Sequence, residues 1–169
     1  HDRRSSSRVL LPLVSIPRSD MVFRRDVVLL LQKSNVNLEK LLHVDDEVTR
    51  SVFLSRSDTR VTLVDHNKIH PSLLRSSRPS SSAADDDVVV EIIDHHEDFK
   101  SHLHVTGDAR VIAFENGAPT VGSCCTLVAE RLLSATNTNT SSWDAGVALA
   151  LLGTILLDTM NMDEVACRE

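Results

Sequence analysis

Val88 to Phe99 read VVVEIIDHHEDF. The run is short, β-branched and apolar apart from one Glu, which predicts a buried strand from Val88 to Ile93 rather than a helix. It stops on Asp94, His95 and His96 and then turns acidic. Arg60 to Asn67, RVTLVDHN, has the same shape: a predicted strand from Thr59 to Val64 that stops on Asp65 and His66. In parallel α/β sheets, ligands sit beyond the carboxyl ends of the strands, so both aspartates are expected on that edge. Carboxylate oxygen suits hard divalent cations, and Mn²⁺ or Co²⁺ also accept imidazole nitrogen. A carboxylate bridging two ions ~3.5–4 Å apart is the clamp of phosphoryl hydrolysis. The bland alternatives are a solvated strand end for Asp94-His95-His96 and a turn signal for Asp65-His66-Asn67, since Asp and Asn favour turns.

Outward from these strands, helices and strands alternate. Val9 to Asp20 is extended, with prolines blocking a helix. Ser19 or Asp20 can cap a helix over Met21 to Lys33, with Phe23, Val27, Leu30 and Leu31 on one face. NLEKLLHVDDE supports a short helical turn at most. Residues 75–87, RSSRPSSSAADDD, are polar and low in complexity and predict a mobile loop. His104 to Phe114 predicts a strand or ragged hairpin broken at TGD. A helix opens at Gly122, anchored by Leu127, Leu132 and Leu133. Ser142 can cap a last helix from Trp143 to about Leu157. The sum predicts an α/β domain with a mainly parallel sheet flanked by helices.

The chain has 169 residues, 41% of them hydrophobic, which fits one ordinary domain. A net charge of −6 with no long basic run does not favour nucleic acid as a bulk partner. Three cysteines form no disulfide framework, pointing to a reducing, cytoplasmic setting. No apolar run reaches membrane-spanning length. Cys124 and Cys125 read as small helix residues, with no paired base in view. His66, His70, His102 and His104 read as surface, strand or loop residues.

Asp158, in LLGTILLDTMNMD, closes a helix apolar nearly all round and hence expected to be buried. A buried carboxylate there needs a cation or strong donors. Asp65, His95 and Asp158 together can bind a hard or borderline cation, with His96 facing the substrate.

The blocks LVDHN, DHH, VGSCCTLVAERL and GTILLDTMNMD, in this order, resemble the DHH phosphoesterase superfamily, most closely its prune and exopolyphosphatase branch, related to family II inorganic pyrophosphatases. IPRSDMVFRRDV resembles a further stretch of prune-like proteins. The resemblance implies that residues 9–163 form a DHH-type domain after an irregular leader, 1–8. It implies metal ligation by Asp65, which would bridge two ions, and by His95 and Asp158. His96 matches the histidine facing phosphate and nucleophilic water, and Asp94 a residue orienting a histidine. Gly122 and Ser123 match a pair opening a helix whose N–H groups suit an anion. Arg18 matches the arginine of the IPR stretch and is a candidate phosphate contact. The implied cofactor is Mg²⁺ or Mn²⁺, with Co²⁺ an option.

Two departures from the family pattern stand out. The Asp-x-Asp block that supplies further ligands has no match before Val9. The second domain, DHHA2, is expected after a linker beginning at residues 164–169. The last motif position is His, as in exopolyphosphatases and pyrophosphatases, where mammalian prune proteins carry Arg.

Two readings follow. One is a metal-dependent hydrolase of short polyphosphate, pyrophosphate-like substrates or cyclic-nucleotide phosphodiesters. The other is a catalytically impaired domain that binds protein partners. A single-strand nuclease is disfavoured by the acidic balance and the few aromatics.

Overall fold

The computed structural model describes residues 9–55, 59–70, 88–135 and 144–164. The expected leader 1–8 and loop 75–87 lie outside these residues, as does nearly all of the expected linker 164–169.

A parallel three-stranded sheet carries the core. Its strands are β3 (Val61–Val64), β4 (Val89–Asp94) and β5 (Arg110–Ile112), in the order β3-β4-β5. Leu63 pairs with Ile92, Val64 with Ile93, and Asp94 with Ile112. A bulge between Val61 and Thr62 shifts the register at the start of β3. The ladder runs one bond past β3, since the Asp65 N–H donates to the Ile93 carbonyl at 2.9 Å. Asp65 and Asp94 therefore end adjacent strands on the same edge, as the two apolar runs predict.

Leu63, Ile69, Val89, Ile92 and Val105 form the buried cluster. Each fully buried aliphatic side chain contributes about 1.5–3 kcal/mol relative to exposure. β1 (Leu13–Val14) and β2 (Leu42–His43) form a separate parallel pair. β6 (Phe114–Glu115) and β7 (Ala118–Pro119) form an antiparallel hairpin, so the expected ragged hairpin begins later than His104. A 3-10 turn at Gly107–Ala109 leads into β5 instead.

The helices stack away from the sheet. α3 (Cys124–Ala135) packs on β4, α4 (Ala145–Asp158) on α3, and α1 (Arg25–Lys33) on α4. Two glycines of α4 allow the last approach. A Cβ on Gly146 would meet the Ser34 carbonyl oxygen, and one on Gly153 would meet the Leu30 side chain.

Several sequence expectations need correction. The helix expected from Met21 is a 3-10 turn, Arg18–Phe23, and a separate α1, because Arg24 (φ −108°, ψ 58°) breaks helical geometry between them. Phe23 consequently leaves the apolar face and is exposed. NLEKLLHVDDE holds a 3-10 turn, Leu38–Lys40, strand β2 and the start of a further helix, α2 (Glu47–Ser55), that periodicity did not reveal. The cap of α4 is Asp144, whose carboxylate accepts from the Gly146 and Val147 N–H groups at 2.8 and 3.3 Å. Ser142 lies outside the described residues. Leu132 and Leu133 are exposed rather than anchoring. α4 is not buried all round: packed on α3 and α1, it leaves Val147, Leu149, Leu152 and Leu157 exposed among the described residues.

Candidate metal centre

Each strand end supplies a different kind of group. Asp65 leaves β3 with a left-handed backbone, φ 65°, a conformation that costs a non-glycine residue about 1–3 kcal/mol and clusters at functional sites. Its side chain is 60% exposed. Asp94 closes β4 fully buried, and His95 and His96 follow it out of the sheet.

Asp65, His95 and His96 each offer one ligand atom, and these atoms all lie within 4.8 Å of one another. His95 Nε2 is 3.3 Å from Asp65 Oδ1, and His96 Nδ1 is 3.9 Å from the same oxygen. The imidazole rings meet edge to face, with centroids 4.5 Å apart.

Hydrogen bonding fixes the tautomers. His95 Nδ1 lies 3.0 Å from the Val121 carbonyl. A carbonyl only accepts, so Nδ1 carries a proton, and in the neutral ring Nε2 turns its lone pair toward Asp65. Two acceptors then face each other at 3.3 Å, an arrangement that a cation or an added proton makes favourable. His96 Nδ1 is 2.8 Å from Asp94 Oδ1, so that nitrogen donates and Nε2 is the open one. One carboxylate oxygen and two imidazole nitrogens fit a borderline divalent cation.

Asp94 is the fixed point beneath the cluster. Oδ1 accepts from the His95 and His96 N–H groups at 2.8 and 3.3 Å as well as from the His96 ring. Oδ2 accepts from Asn67 Nδ2 at 2.6 Å. Burial alone would raise the Asp94 carboxyl, but these bonds from His96, Asn67 and the backbone outweigh it and hold its pKa below the usual carboxylate value. Asp65 moves the other way. Desolvation of its partly covered carboxylate raises it, the His96 and His95 side chains oppose, and the charges of Asp94 and Asp158 add to the rise. A pair of carboxylates pushed apart in this manner is typical of functional sites.

Asp158 is not among the three clustered groups. It is exposed at the end of α4, and Oδ2 accepts from Ser123 Oγ at 2.6 Å. Its charge acts on Asp65 across the intervening space. Gly122 and Ser123 precede α3, as expected, but the fully buried Ser123 already caps that helix, its Oγ accepting from the Cys125 N–H at 3.2 Å. Arg18 is taken up elsewhere. Its guanidinium contacts both oxygens of Asp46, at 3.1 and 2.7 Å, and donates to the Leu41 carbonyl at 2.6 Å. This clip joins the turn after β1 to the loop after β2. Cys124 is buried, with its thiol pushed up to about 12 chiefly by burial, consistent with a packing residue.

Asn67 and Arg110 were not singled out by sequence. Asn67 is buried and ties the two strand-end loops together. Arg110, at the start of β5, donates to Asp98 at 2.7 Å and to the Ser101 and His102 carbonyls at 3.1 and 3.2 Å, bracing the loop beyond His96. The signal for Asn67 was its position two residues after a strand-end aspartate, where a turn reading accounts for it equally well.

A parallel α/β domain with carboxylate and imidazole at two adjacent strand ends defines the class. Comparison with known proteins narrows it. The chain is 33% identical over 161 residues to exopolyphosphatase PRUNE1 of Bos taurus and 30% identical over 161 residues to that of Homo sapiens, covering 94% of this chain in each case. It is 28% identical over 172 residues to a putative exopolyphosphatase of Schizosaccharomyces pombe, covering 95% of this chain. These matches span 30% of the two mammalian proteins and 39% of the yeast one. The resemblance to the prune and exopolyphosphatase branch read from the sequence is borne out, and the fold is consistent with a DHH-type domain. No family model matches the chain. Among the described residues, no helix is long and apolar enough to cross a membrane.

Proposed function

We propose that this chain forms the metal-holding domain of a cytoplasmic phosphohydrolase that cleaves phosphoanhydride bonds of short polyphosphate or pyrophosphate-like substrates. The observation that carries this reading is the gathering of Asp65, His95 and His96 within 4.8 Å at adjacent parallel strand ends, in a chain similar to proteins named exopolyphosphatase. Asp65, His95 and His96 would hold a divalent cation, Mg²⁺ or Mn²⁺ with Co²⁺ an option, and Asp158 would add negative charge beside it. When bound there, a divalent cation would supply charge neutralisation on phosphoryl oxygen and would make a water more acidic; Asp65, His95 and His96 are the residues that would hold it.

The chain's own groups do the rest. The Val121 carbonyl takes the Nδ1 proton of His95, which leaves Nε2 as the nitrogen that would bind an ion. His96, 56% exposed, has one open nitrogen, Nε2, because Nδ1 donates to Asp94; that lone pair serves the ion or, in the catalytic role expected from sequence, phosphate or the attacking water, and not both at once. Asp94 positions that ring and stabilises positive charge on it. The test is calorimetric titration with Mn²⁺ followed by phosphate release from tripolyphosphate. Asp65→Ala should lose both, and retained turnover would defeat the assignment.

A second reading, a domain that binds protein partners without turnover, is favoured by the exposed apolar residues of α3 and α4, Leu132, Leu133, Leu149, Leu152 and Leu157. Tight Mn²⁺ binding without phosphate release from any of these substrates would support it.

A further inference from the structure

We propose that Asn67 is a positioning residue of the centre, locking Asp94 and the turn at 97–99 so that the His96 ring is held beside Asp65. The inference deepens the metal reading and rests on it for the ion, whereas the ring's orientation is a property of the chain alone.

Asn67 is 1% exposed. Its amide uses both ends. Nδ2 donates to Asp94 Oδ2 at 2.6 Å and to the Glu97 carbonyl at 3.0 Å, and Oδ1 accepts from the Phe99 N–H at 3.0 Å. The amide has one orientation that satisfies these partners, since Asp94 and Glu97 need donors and Phe99 needs an acceptor. One side chain from the loop after β3 thereby fixes three points of the loop after β4.

The consequence falls on His96. The Asp94 carboxylate is fully buried, and Asn67 donates to Oδ2, leaving Oδ1 aimed at the His96 ring and at two N–H groups. Take the Oδ2 donor away and the carboxylate has reason to rotate, because an unpaired buried oxygen is costly. The Oδ1 bond to His96 Nδ1 then has no fixed anchor. Asp94 stands one hydrogen bond behind His96, and removing such a partner typically changes metal affinity about 10–100-fold; Asn67 acts by holding that partner in place.

The test uses Asn67→Asp and Asn67→Ser. The first keeps the shape and the acceptor for Phe99 but sets an oxygen against Asp94. The second excludes rescue by a shared proton. Circular dichroism reports folding, calorimetry reports Mn²⁺ affinity, and nitrogen-15 NMR of the histidine rings in the metal-free chain reports the Nδ1–H form of His96. The expected result is folded variants with Mn²⁺ affinity down on the order of 10-fold or more and a lost or averaged His96 Nδ1–H signal. Folded variants with an unchanged His96 signal, or with the wild-type Mn²⁺ affinity, overturn the proposal. So does loss of folding in both, which makes Asn67 a structural residue only. Should the wild-type chain bind no Mn²⁺, the metal reading fails, and the ring signal alone judges Asn67.

Discussion

Across the carboxyl ends of β3 and β4, Nε2 of His95 and Oδ1 of Asp65 face each other at 3.3 Å. Val121 has claimed the proton of the opposite ring nitrogen, so the facing atoms are both acceptors. Asp65 reaches this position through a left-handed backbone that β-sheet geometry does not supply. With a neutral ring the pair gains from a cation between its two acceptors, which is what the proposed metal reading asks of it.

Asp65→Asn should therefore separate stability from binding. Asparagine tolerates the left-handed region well, and its neutral amide removes a partly desolvated charge that Asp94 and Asp158 repel through space. The metal-free variant should melt about 2–4 °C higher, on the order of 1 kcal/mol for a chain of this size, while Mn²⁺ binding disappears. Differential scanning calorimetry with and without Mn²⁺ reads both. A variant that melts lower and still binds Mn²⁺ contradicts the geometry.

Ser123 and Asp158 should part company in the same assay. Ser123→Ala removes the cap on the Cys125 N–H and the donor to Asp158 from a fully buried position. About 1–2 kcal/mol of stability should be lost, as for other cap deletions. Asp158→Asn acts at an exposed helix C-terminus, where an acid is unfavourable. Its stability should stay within about 0.5 kcal/mol of wild type. Its Mn²⁺ affinity should nonetheless fall, because a negative charge leaves the surroundings of Asp65. Urea melts and calorimetric titration of the two variants distinguish them.

Sequence pattern was most informative where one chemical property ran unbroken. The two apolar runs announced β3 and β4, and their abrupt ends announced Asp65 and Asp94 on one edge, because strand direction in a parallel sheet converts a sequence end into a place. It was least informative where pairing decides. α2 begins among charged residues whose helicity depends on what its other face meets. Arg18 could be singled out only by resemblance, because nothing local reveals that Asp46, far along the chain, pairs with its guanidinium. Asn67 read as a turn residue for the same reason: its three partners lie on the next strand's loop. α4 looked buried from its composition, but burial needs neighbours, and composition does not count them.

The Arg18–Asp46 clip carries a pH signature. Arg18 hydrogen-bonding and the His43 N–H lower the Asp46 carboxyl from 3.8 to about 2. A folded-state pKa below the unfolded one gives stability that is fully present above 3.8 and is lost as pH falls toward about 2. Asp46→Asn should melt below wild type near neutral pH, and the gap should narrow through this acidic window. The surface setting keeps the effect modest and salt-sensitive. Melting curves taken across the window at low and high salt check it; a gap independent of pH would mean that the carboxylate's charge is not what joins the two loops.

The α1–α4 contact yields a comparison in which helix propensity and packing oppose each other. Alanine in place of glycine inside a helix is worth about 1 kcal/mol by propensity. At Gly153 the added methyl would press on the Leu30 side chain, which has rotamers to yield. At Gly146 it would press on the Ser34 backbone carbonyl and on the Asp144 capping oxygen, neither of which moves without opening the start of α4. Overpacking costs about 1–3 kcal/mol where neighbours resist. Gly153→Ala should thus lie close to wild type, and Gly146→Ala should be the less stable by 1 kcal/mol or more, on the order of one overpacked contact. Equilibrium urea denaturation of both variants measures the difference. If Gly146→Ala matched or exceeded wild type, α1 could not end against the first turn of α4, and the helical layers behind the metal centre would have to be rearranged.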